Sequence, residues 1–224
     1  MTTKDNLKRT KRPWPTKAAM QQVYNNNLWG SGTSRFYSGE GSHHPDLVNP
    51  YIEVVNFFLN SFDYPISVAD LGCGDFNIGK QLYNFTNKYI AVDIVPDLIR
   101  YNQEEFQAEN LEFYSLDLAK DNLPLADCAL IRQVLQHISN AEVQSILDKL
   151  TVYKYIIITE HIPKGSFIPN KDIISGQGTR LKKQSGLNPL KAPFNWIVKE
   201  ETPLLSIPLD YDKGIIVTTL YKMY

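Results

Sequence analysis

Short apolar runs alternate with helical patterns between residues 66 and 159. Each run is four to six residues long and rich in Ile, Val, Leu or Tyr, which is typical of buried strands. Strands joined by helices indicate a parallel sheet with helices on both faces. The predicted strands are 66–71, 89–92, 111–114, 127–131 and 155–159, and the predicted helices between them are 78–85, 96–107 and 141–150.

The two ends of the chain have other patterns. Residues 16–27 read as a short helix that Thr16 could cap, and residues 46–62 read as a longer helix with one apolar face. Near the end, residues 203–208 and 214–223 are strand-like and share a turn-rich connector, which favours an antiparallel hairpin. The predicted fold class is therefore α/β, a doubly wound, seven-stranded sheet that is mostly parallel and ends in an antiparallel hairpin.

The composition fits one domain with additions. The chain has 224 residues, of which 43% are apolar and 21% charged, as in a globular protein with a core. We expect residues 1–45 to form an N-terminal region with a basic arm, a short helix and a glycine-rich loop. Residues 46–224 form the main domain in this interpretation, and residues 162–199 are a long irregular insertion in it that covers the substrate side.

The charge is nearly balanced, with a formal net charge of −1, so the whole chain has no broad attraction to nucleic acid or anionic lipid. The body also lacks a basic stripe with interleaved aromatic residues, and the sequence predicts no nucleic-acid partner. Basic residues collect only at the N-terminus, where we expect a solvated arm. No apolar segment follows them, so we expect no signal peptide, and no run reaches the ~18 apolar residues of a membrane span. The basic residues of the arm are Lys4, Lys8, Arg9, Lys11, Arg12 and Lys17.

Cysteine and histidine are scarce in the chain. Cys73 and Cys128, the two cysteines, fall in or next to predicted strands, so we expect no disulfide and a reducing, cytoplasmic setting. His43 and His44 are adjacent and do not easily face one ion, and no cluster has the spacing of a zinc site. The sequence therefore predicts no metal site.

The end of the first predicted strand combines an acid with glycines, in the stretch VADLGCGDFNIG. Ligands of doubly wound sheets bind at the carboxyl ends of the strands, where Gly72 and Gly74 lie. A dinucleotide site would need a third glycine at position 77, which is Asn77. A carboxylate at Asp70 would also repel a pyrophosphate, whereas it suits a cationic ligand. S-adenosylmethionine, which carries an ammonium and a sulfonium group and no phosphate, fits this pattern better than NAD.

Two further acids follow the next two predicted strands. Asp93 ends the second strand, where a carboxylate can accept hydrogen bonds from both hydroxyls of an adenosine ribose. Asp117 follows the third strand, where it could accept from the adenine amino group while Leu118 packs on the ring. Each acid alone could be a helix cap or turn former. Their regular spacing on neighbouring strand ends favours a nucleoside site.

These residues resemble the class I S-adenosylmethionine-dependent methyltransferases, over roughly residues 46–160. The resemblance implies a Rossmann-like sheet with strand order 3-2-1-4-5-7-6 and strand 7 antiparallel. The sequence departs from the family at Phe76, where a third glycine is frequent, and we expect the larger side chain to narrow the space beside the methionine end of the cofactor. The residues that carry the resemblance are Asp70, Leu71, Gly72, Cys73, Gly74, Asp93, Asp117, Leu118 and the segment 127–139.

The resemblance also implies a cofactor site that the N-terminal region covers. Residues 29–42, called the lid below, are glycine-rich and take the place of the segment that folds over the cofactor in this family. Trp29, Arg35, Gly41 and Ser42 are its candidate contacts, and a plain surface loop is the alternative. The candidate cofactor-binding residues are Trp29, Arg35, Asp70, Gly72, Gly74, Asp93, Ile94, Asp117, Leu118 and Arg132.

Polar side chains also follow the fourth and fifth predicted strands. Arg132 and Gln133 could hold the methionine portion or an acceptor, and His137, with an ordinary pKa near ~6.5, could accept a proton. Glu160 and His161 are expected at the same edge, after the fifth strand. The structural alternatives are a His137 packed behind the site and a Glu160 in a salt bridge. The candidate catalytic residues are His137, Glu160 and His161.

The resulting hypothesis is an enzyme that transfers a methyl group from S-adenosylmethionine to an oxygen or nitrogen of a small-molecule acceptor. Such a transfer is an in-line displacement, in which alignment alone can supply up to ~7–11 kcal/mol. An NAD(P)-dependent oxidoreductase on a similar sheet is one alternative, against which Asn77 argues. A module that binds S-adenosylmethionine without turnover is another. The acceptor and the oligomeric state stay open at this stage.

Overall fold

A computed structural model of the protein describes residues 13–210 and 213–224, so most of the basic arm lies outside the described residues. Seven strands form one sheet. They are β1 Ser67–Leu71, β2 Lys88–Asp93, β3 Leu111–Ser115, β4 Cys128–Arg132, β5 Tyr155–Ile162, β6 Glu200–Pro208 and β7 Ile215–Lys222. The strand order is β3-β2-β1-β4-β5-β7-β6, in which β7 runs antiparallel to both of its neighbours and the other pairs are parallel. The predicted sheet, strand order and terminal hairpin are confirmed.

Helices cover the two faces of this sheet. The α-helices among the described residues are α1 Thr16–Asn25, α2 Pro45–Leu59, α3 Pro96–Glu105 and α4 Asn140–Leu150. Pro15 holds the cap position of α1, which corrects the expectation for Thr16, and the Thr16 hydroxyl donates to Glu142 instead. A capping box begins α4, since Ser139 and Glu142 each accept from the backbone N–H of the other.

The predicted helix over residues 78–85 is wrong. Two short 3₁₀ helices, Gly79–Gln81 and Tyr83–Phe85, replace it. Glycine, asparagine and aromatic residues crowd this segment, and all of them have low helix propensity. Gly79 also lies directly against the ring of Phe76, so packing fixes the local conformation and the periodic pattern does not.

Side chains of the strands alternate between two apolar layers. Ala69 and Leu71 of β1 pack in the layer under α1 and α4, whereas Val68 packs in the opposite layer with α2. Asp70 lies on the same face as Val68, where the hydroxyl of Tyr89 donates to it. A sheet buried on both faces therefore brings a carboxylate into its interior at the carboxyl end of the first strand.

Residues 163–199 form a long irregular segment after β5. The buried Asn170 holds it together, because its side-chain amide donates to the carbonyls of Asn188 and Ala192. Arg180, with 1% of its surface exposed, anchors the segment to the connection between β4 and α4, because its guanidinium donates to the carbonyls of Leu135 and Ile138. Within the part of the chain described here, no helix combines the length and the apolar character that crossing a membrane would need.

Candidate active site

A cavity of about 370 Å³ opens at the carboxyl edge of the parallel strands. Its walls come from the tips of β1, β2 and β4, from α1, from the lid and from the start of α4. This is the edge at which doubly wound sheets bind ligands. Ten of the predicted site residues line it together: Trp29, Asp70, Gly72, Gly74, Asp93, Ile94, Asp117, Leu118, Arg132 and His137.

Asp70 is a buried acid of this cavity. Burial raises its pKa to about 7, and the nearby charge of Asp93 acts in the same direction. The hydrogen bond from Tyr89, 2.9 Å long, and the positive charge of Arg132 act against this shift. The side chain is therefore close to its titration point near neutral pH, and a cationic ligand would favour its ionised form.

Asp93 connects the end of β2 to the glycine turn after β1. Its Oδ2 accepts from the backbone N–H of Gly74 at 3.1 Å, and its Oδ1 accepts from that of Val95 at 3.0 Å. Burial raises the pKa of Asp93 to about 6, although these backbone hydrogen bonds stabilise its ionised form. Each carboxylate oxygen keeps a second lone pair, which leaves capacity for hydroxyl donors from a ligand.

Asp117 lies in the turn after β3. Its carboxylate accepts from the Ala119 backbone N–H at 3.1 Å and forms an ion pair of 2.7 Å with Lys120. Leu118, next to it, is buried and faces the same cavity. An apolar side chain beside a polar acceptor is a suitable arrangement for a planar base.

Arg132 is a buried cation at the tip of β4. Its guanidinium lies over the ring of Tyr51, 4.9 Å from the centroid, and donates to the Gly41 carbonyl at 2.6 Å. The Nε atom has no hydrogen-bond partner within residues 13–210 and 213–224. A buried donor of this kind normally has a partner, so a ligand acceptor would fit here.

The two glycines after β1 allow close packing of protein groups as well as access for a ligand. Gly72 has φ of +96°, and Gly74 has φ of +55°. A Cβ atom on Gly72 would collide with the side chain of Val134, and one on Gly74 would collide with that of Ser38. The absence of a Cβ atom at Gly74 therefore lets Ser38 of the lid pack directly on the glycine turn.

Phe76 occupies the family's third glycine position with a glycine-like backbone. Its φ is +62°, and its side chain is fully buried. The ring points into an aromatic cluster with Tyr89, Phe106 and Phe113, at centroid distances between 4.8 and 5.9 Å. Since Phe76 does not line the cavity, the expectation that it narrows the space for the methionine end is wrong.

The lid lies over the cavity and is bonded to the glycine turn. Ser38 and Asp75 exchange two hydrogen bonds, and the ring of His43, just beyond the lid, lies 2.6 Å from Asp75. Gly41 and Ser42 line the cavity as expected. Arg35 does not, because its side chain is exposed and its guanidinium lies over the Phe36 ring.

His137 ends the short 3₁₀ helix Leu135–His137 that follows β4. Its ring packs on Trp29 of the lid, with centroids 5.0 Å apart, and its Nδ1 lies 3.2 Å from the Gly178 carbonyl oxygen. Burial lowers the pKa of His137 to about 4, although the carbonyls of the insertion act against the shift. The ring is therefore neutral at physiological pH.

The structure corrects the placement of Glu160 and His161, since neither lines the cavity. Glu160 is buried behind the Leu135–His137 helix, where it accepts from the Leu135 backbone N–H at 3.2 Å. Burial raises the pKa of Glu160 to about 8, against the attraction of Arg180. The His161 ring interacts with the Lys213 carbonyl instead, at 2.6 Å.

Several lining residues have no signal in the sequence pattern. Tyr24 and Met20 come from α1, Ser38 comes from the lid, and Glu142 and Ile146 come from α4. The capping box identifies Glu142 as a helix-start residue, but only the tertiary fold brings it to the cavity. Helix faces that meet a distant loop in space cannot be paired from one sequence.

The comparisons with known proteins agree with this geometry. The sequence family described as "Methyltransferase domain" matches residues 69–151, from β1 to the end of α4. A search of curated proteins finds no match. Several hundred solved chains share the fold.

Three solved structures illustrate the likeness of the fold. N-methyltransferase NodS from Bradyrhizobium japonicum WM9, in complex with S-adenosyl-L-homocysteine, has 10% identity and a TM-score of 0.65, over 91% of this chain and 98% of that one. Magnesium protoporphyrin IX methyltransferase from Synechocystis PCC 6803, with bound SAM, has 14% identity and a TM-score of 0.59, over 96% and 100%. Burkholderia thailandensis 1,6-didemethyltoxoflavin-N1-methyltransferase has 15% identity and a TM-score of 0.56, over 93% and 87%.

The sheet order and the cavity at its carboxyl edge define the class I methyltransferase fold. At these identities the solved structures establish the fold, and the family match adds the methyltransferase domain. The chain thus carries a methyltransferase domain in residues 69–151 on a sheet with the class I fold, which agrees with the S-adenosylmethionine-dependent methyltransferase predicted from the sequence.

Proposed function

We propose that the protein methylates a small molecule that binds beside S-adenosylmethionine in the cavity under the lid. The cavity volume of about 370 Å³ lies within the ~300–1,000 Å³ typical of small-ligand sites. The lid and α1 close over it, which leaves little room for a macromolecular acceptor. A fold neighbour solved with bound 1,6-didemethyltoxoflavin supports a small acceptor on this type of sheet.

The nucleoside end of the cofactor is assigned to the tips of β2 and β3. Asp93 would accept from the ribose hydroxyls with its free lone pairs. Asp117 would accept from the adenine amino group, and Leu118 and Ile94 would pack against the base. These side chains line the same cavity, which supports their assignment to one nucleoside.

The methionine end is assigned to the glycine turn and to Arg132. Asp70, Gly72 and Gly74 surround the turn, and a ligand ammonium group would stabilise the ionised form of the buried Asp70. The unpartnered Nε of Arg132 would donate to the ligand carboxylate. The donor and acceptor groups present thus fit a zwitterionic amino-acid tail.

S-adenosylmethionine supplies a methyl group on a sulfonium, and displacement leaves S-adenosylhomocysteine. The task of the protein is then to align the acceptor and to exclude water. Trp29 and His137 pack against each other on the lid side of the cavity. Trp29 would cover the cofactor, and His137 is assigned to the acceptor. A neutral His137 can accept a hydrogen bond from an acceptor hydroxyl or amine.

We assign a supporting role to the parts outside the cavity wall. Residues 1–45 supply α1 and the lid, residues 46–224 supply the sheet, and the insertion of residues 162–199 covers the acceptor side through Gly178. Glu160 and His161 shape the edge of the sheet rather than touch the ligand. A cytoplasmic location belongs to this proposal, on the ground of two buried free cysteines.

One observation carries the proposal: the three carboxylates on neighbouring strand tips line a single cavity. Titration calorimetry with S-adenosylhomocysteine tests it, and we expect Asp93→Asn to weaken binding by about tenfold, or ~1.4 kcal/mol. Asp97→Asn, in the partly exposed first turn of α3, is the matched control and should bind like the wild type, because Asp97 does not line the cavity. Equal affinity of the Asp93→Asn variant and the wild type would exclude the ribose role.

Turnover is tested separately, with small-molecule pools as acceptors and release of S-adenosylhomocysteine as the readout. Label transferred from methyl-labelled S-adenosylmethionine to low-mass products supports the proposal. Cofactor binding with label only on protein or nucleic acid would contradict the small-molecule acceptor. Binding without turnover in any pool would indicate a non-catalytic module.

A further inference from the structure

Three hydrogen bonds connect the edge of β5 to the insertion through two side chains of the cavity wall. The backbone N–H of His161 donates to Oε1 of Gln136 at 3.0 Å. The Nε2 of Gln136 lies 3.3 Å from the Nε2 of His137. The Nδ1 of His137 lies 3.2 Å from the carbonyl oxygen of Gly178.

The backbone groups at the two ends of this hydrogen-bond chain, the N–H of His161 and the carbonyl of Gly178, determine the direction of every hydrogen bond in it. A backbone N–H can only donate, so the oxygen of the Gln136 carboxamide faces His161 and its NH₂ group faces the imidazole. A backbone carbonyl can only accept, so the nitrogen of His137 next to Gly178 carries the proton. Both arguments give the same neutral tautomer, with the proton on Nδ1 and the lone pair on Nε2.

We propose that Gln136 is a positioning residue that holds His137 in this tautomer, so that its Nε2 can accept a hydrogen bond from the methyl acceptor. The inference rests on the proposed function of the same cavity, which both residues line. Before the acceptor binds, the N–H of Gln136 occupies the lone pair of Nε2 and selects the Nδ1–H tautomer. An acceptor hydroxyl or amine would then take the place of this N–H, while the Gly178 carbonyl keeps the proton on Nδ1. Because the ring of His137 is fixed, the lone pair of Nε2 would point at the acceptor in one defined direction.

The surroundings of the ring also favour the neutral form. The lid contributes Trp29, which is apolar on the face that it presents. The insertion contributes the Gly178 carbonyl and the guanidinium of Arg180, whose charge opposes protonation. The carboxylate of Glu142, on α4, lines the same cavity but is bonded to the hydroxyls of Thr16, Ser139 and Ser175.

Gln136→Glu and Gln136→Met form a matched pair of tests. The glutamate can still accept from His161, but it has no N–H for Nε2 and would accept from a protonated Nε2 instead. We expect this variant to raise the protonation midpoint of His137 by at least two pH units, about 100-fold. The methionine keeps the volume and removes both hydrogen bonds, and we expect a smaller rise.

The measurement is NMR of the ring nitrogens in the full chain, labelled at histidine and saturated with S-adenosylhomocysteine. His137→Asn identifies the signals of His137, and His43, His44 and His161 serve as internal references. In the wild type we expect Nδ1 protonated and Nε2 unprotonated from pH 5.5 to 8. A proton on Nε2, or equal midpoints in the wild type and both variants, would overturn the proposal.

The wild-type spectrum alone decides the tautomer if a variant does not fold. The result is also separable from the proposed function, because the same spectrum can be recorded without ligand. A chain that does not bind S-adenosylhomocysteine would refute the methyltransferase site and leave the tautomer measurement intact. An Nε2–H tautomer in the ligand-bound protein would refute the role of Gln136 and leave the site intact.

Discussion

Ser38 and Asp75 hold each other through two reciprocal hydrogen bonds. The Ser38 backbone N–H donates to Oδ2 of Asp75 at 2.8 Å, and the Asp75 backbone N–H donates to Oγ of Ser38 at 2.8 Å. Tyr24 of α1 joins the pair, since its hydroxyl lies 3.0 Å from Oγ of Ser38. The lid, the first helix and the glycine turn are therefore coupled at one buried acid.

Asp75→Asn should loosen the lid without changing the cavity wall. The amide group would turn its NH₂ either toward Ser38 and His43, the donors that now share Oδ2, or toward the backbone N–H of Asn77, which now donates to Oδ1. An unsatisfied buried donor costs ~1–3 kcal/mol, so we expect hydrogen exchange of residues 36–43 to become about tenfold faster. Release of S-adenosylmethionine, followed by stopped-flow fluorescence, should accelerate to a similar extent.

Asp46→Asn is the control for this experiment, because the exposed Asp46 side chain at the start of α2 interacts with His44 and forms no hydrogen bond or ion pair with the lid in the described part of the chain. It should leave both rates unchanged. Equal exchange of residues 36–43 in Asp75→Asn and in the wild type would show that other contacts hold the lid.

Binding of S-adenosylmethionine should become tighter as pH rises from 5.5 to 7.5. Burial raises the pKa of Asp93 to about 6 and that of Asp70 to about 7, so both carboxyls hold protons at the acid end of this range. The cationic ligand favours their ionised forms, and binding then releases protons. Calorimetry in two buffers of different ionisation enthalpy measures both the affinity and the proton release.

Single variants of the two acids show which carboxyl causes each part of this pH dependence. Asp70→Asn should remove the change of affinity near pH 7, and Asp93→Asn should remove the change near pH 6. For each released proton the affinity can change by up to about tenfold per pH unit. Constant affinity with no proton release across the range would contradict the assignment of either acid to the ligand.

The sheet is predictable from the sequence because its signals are local. Apolar runs mark each parallel strand, and the acids at Asp70, Asp93 and Asp117 mark the strand ends. The roles of Glu160 and His161 are not predictable in this way. The sequence ends the fifth strand at residue 159, whereas pairing with β7 extends β5 to Ile162. A distant strand thus determines where the edge of the sheet lies.

Glu160→Gln should flatten the dependence of protein stability on pH. Burial raises the pKa of Glu160 to about 8, well above its ordinary value of 4.5. The folded protein therefore retains a proton that the unfolded chain has lost, and the free energy of unfolding falls as pH rises between about 4.5 and 8. A glutamine keeps an oxygen for the Leu135 N–H and has no such proton.

Urea denaturation at pH 5.5, 7 and 8 tests this sign. We expect the wild type to lose stability across the series and the variant to lose less, so that the variant is relatively more stable at pH 8. Glu53→Gln, on the exposed side of α2, is the control and should follow the wild type. Parallel pH profiles for the wild type and Glu160→Gln would mean that Glu160 is ionised in the folded protein.

Phe76 should be replaced by glycine more easily than by alanine, which is the reverse of the usual order. Both changes remove the ring from the aromatic cluster, at a cost of ~3–5 kcal/mol for a buried Phe→Ala change. Only alanine keeps the backbone strain of a φ of +62°, which costs ~1–3 kcal/mol for a non-glycine residue. Glycine relieves this strain, but its greater loss of conformational entropy on folding costs ~0.5–1 kcal/mol.

We therefore expect the free energy of unfolding of Phe76→Gly to exceed that of Phe76→Ala by about 1 kcal/mol, with both variants less stable than the wild type. Denaturant titration measures this difference, and Phe76→Gly should unfold at the higher denaturant concentration. Phe113 of β3 packs in the same aromatic cluster and serves as the control position. At this position we expect Phe113→Ala to be more stable than Phe113→Gly. The same order at both positions would show that Phe76 carries no backbone strain.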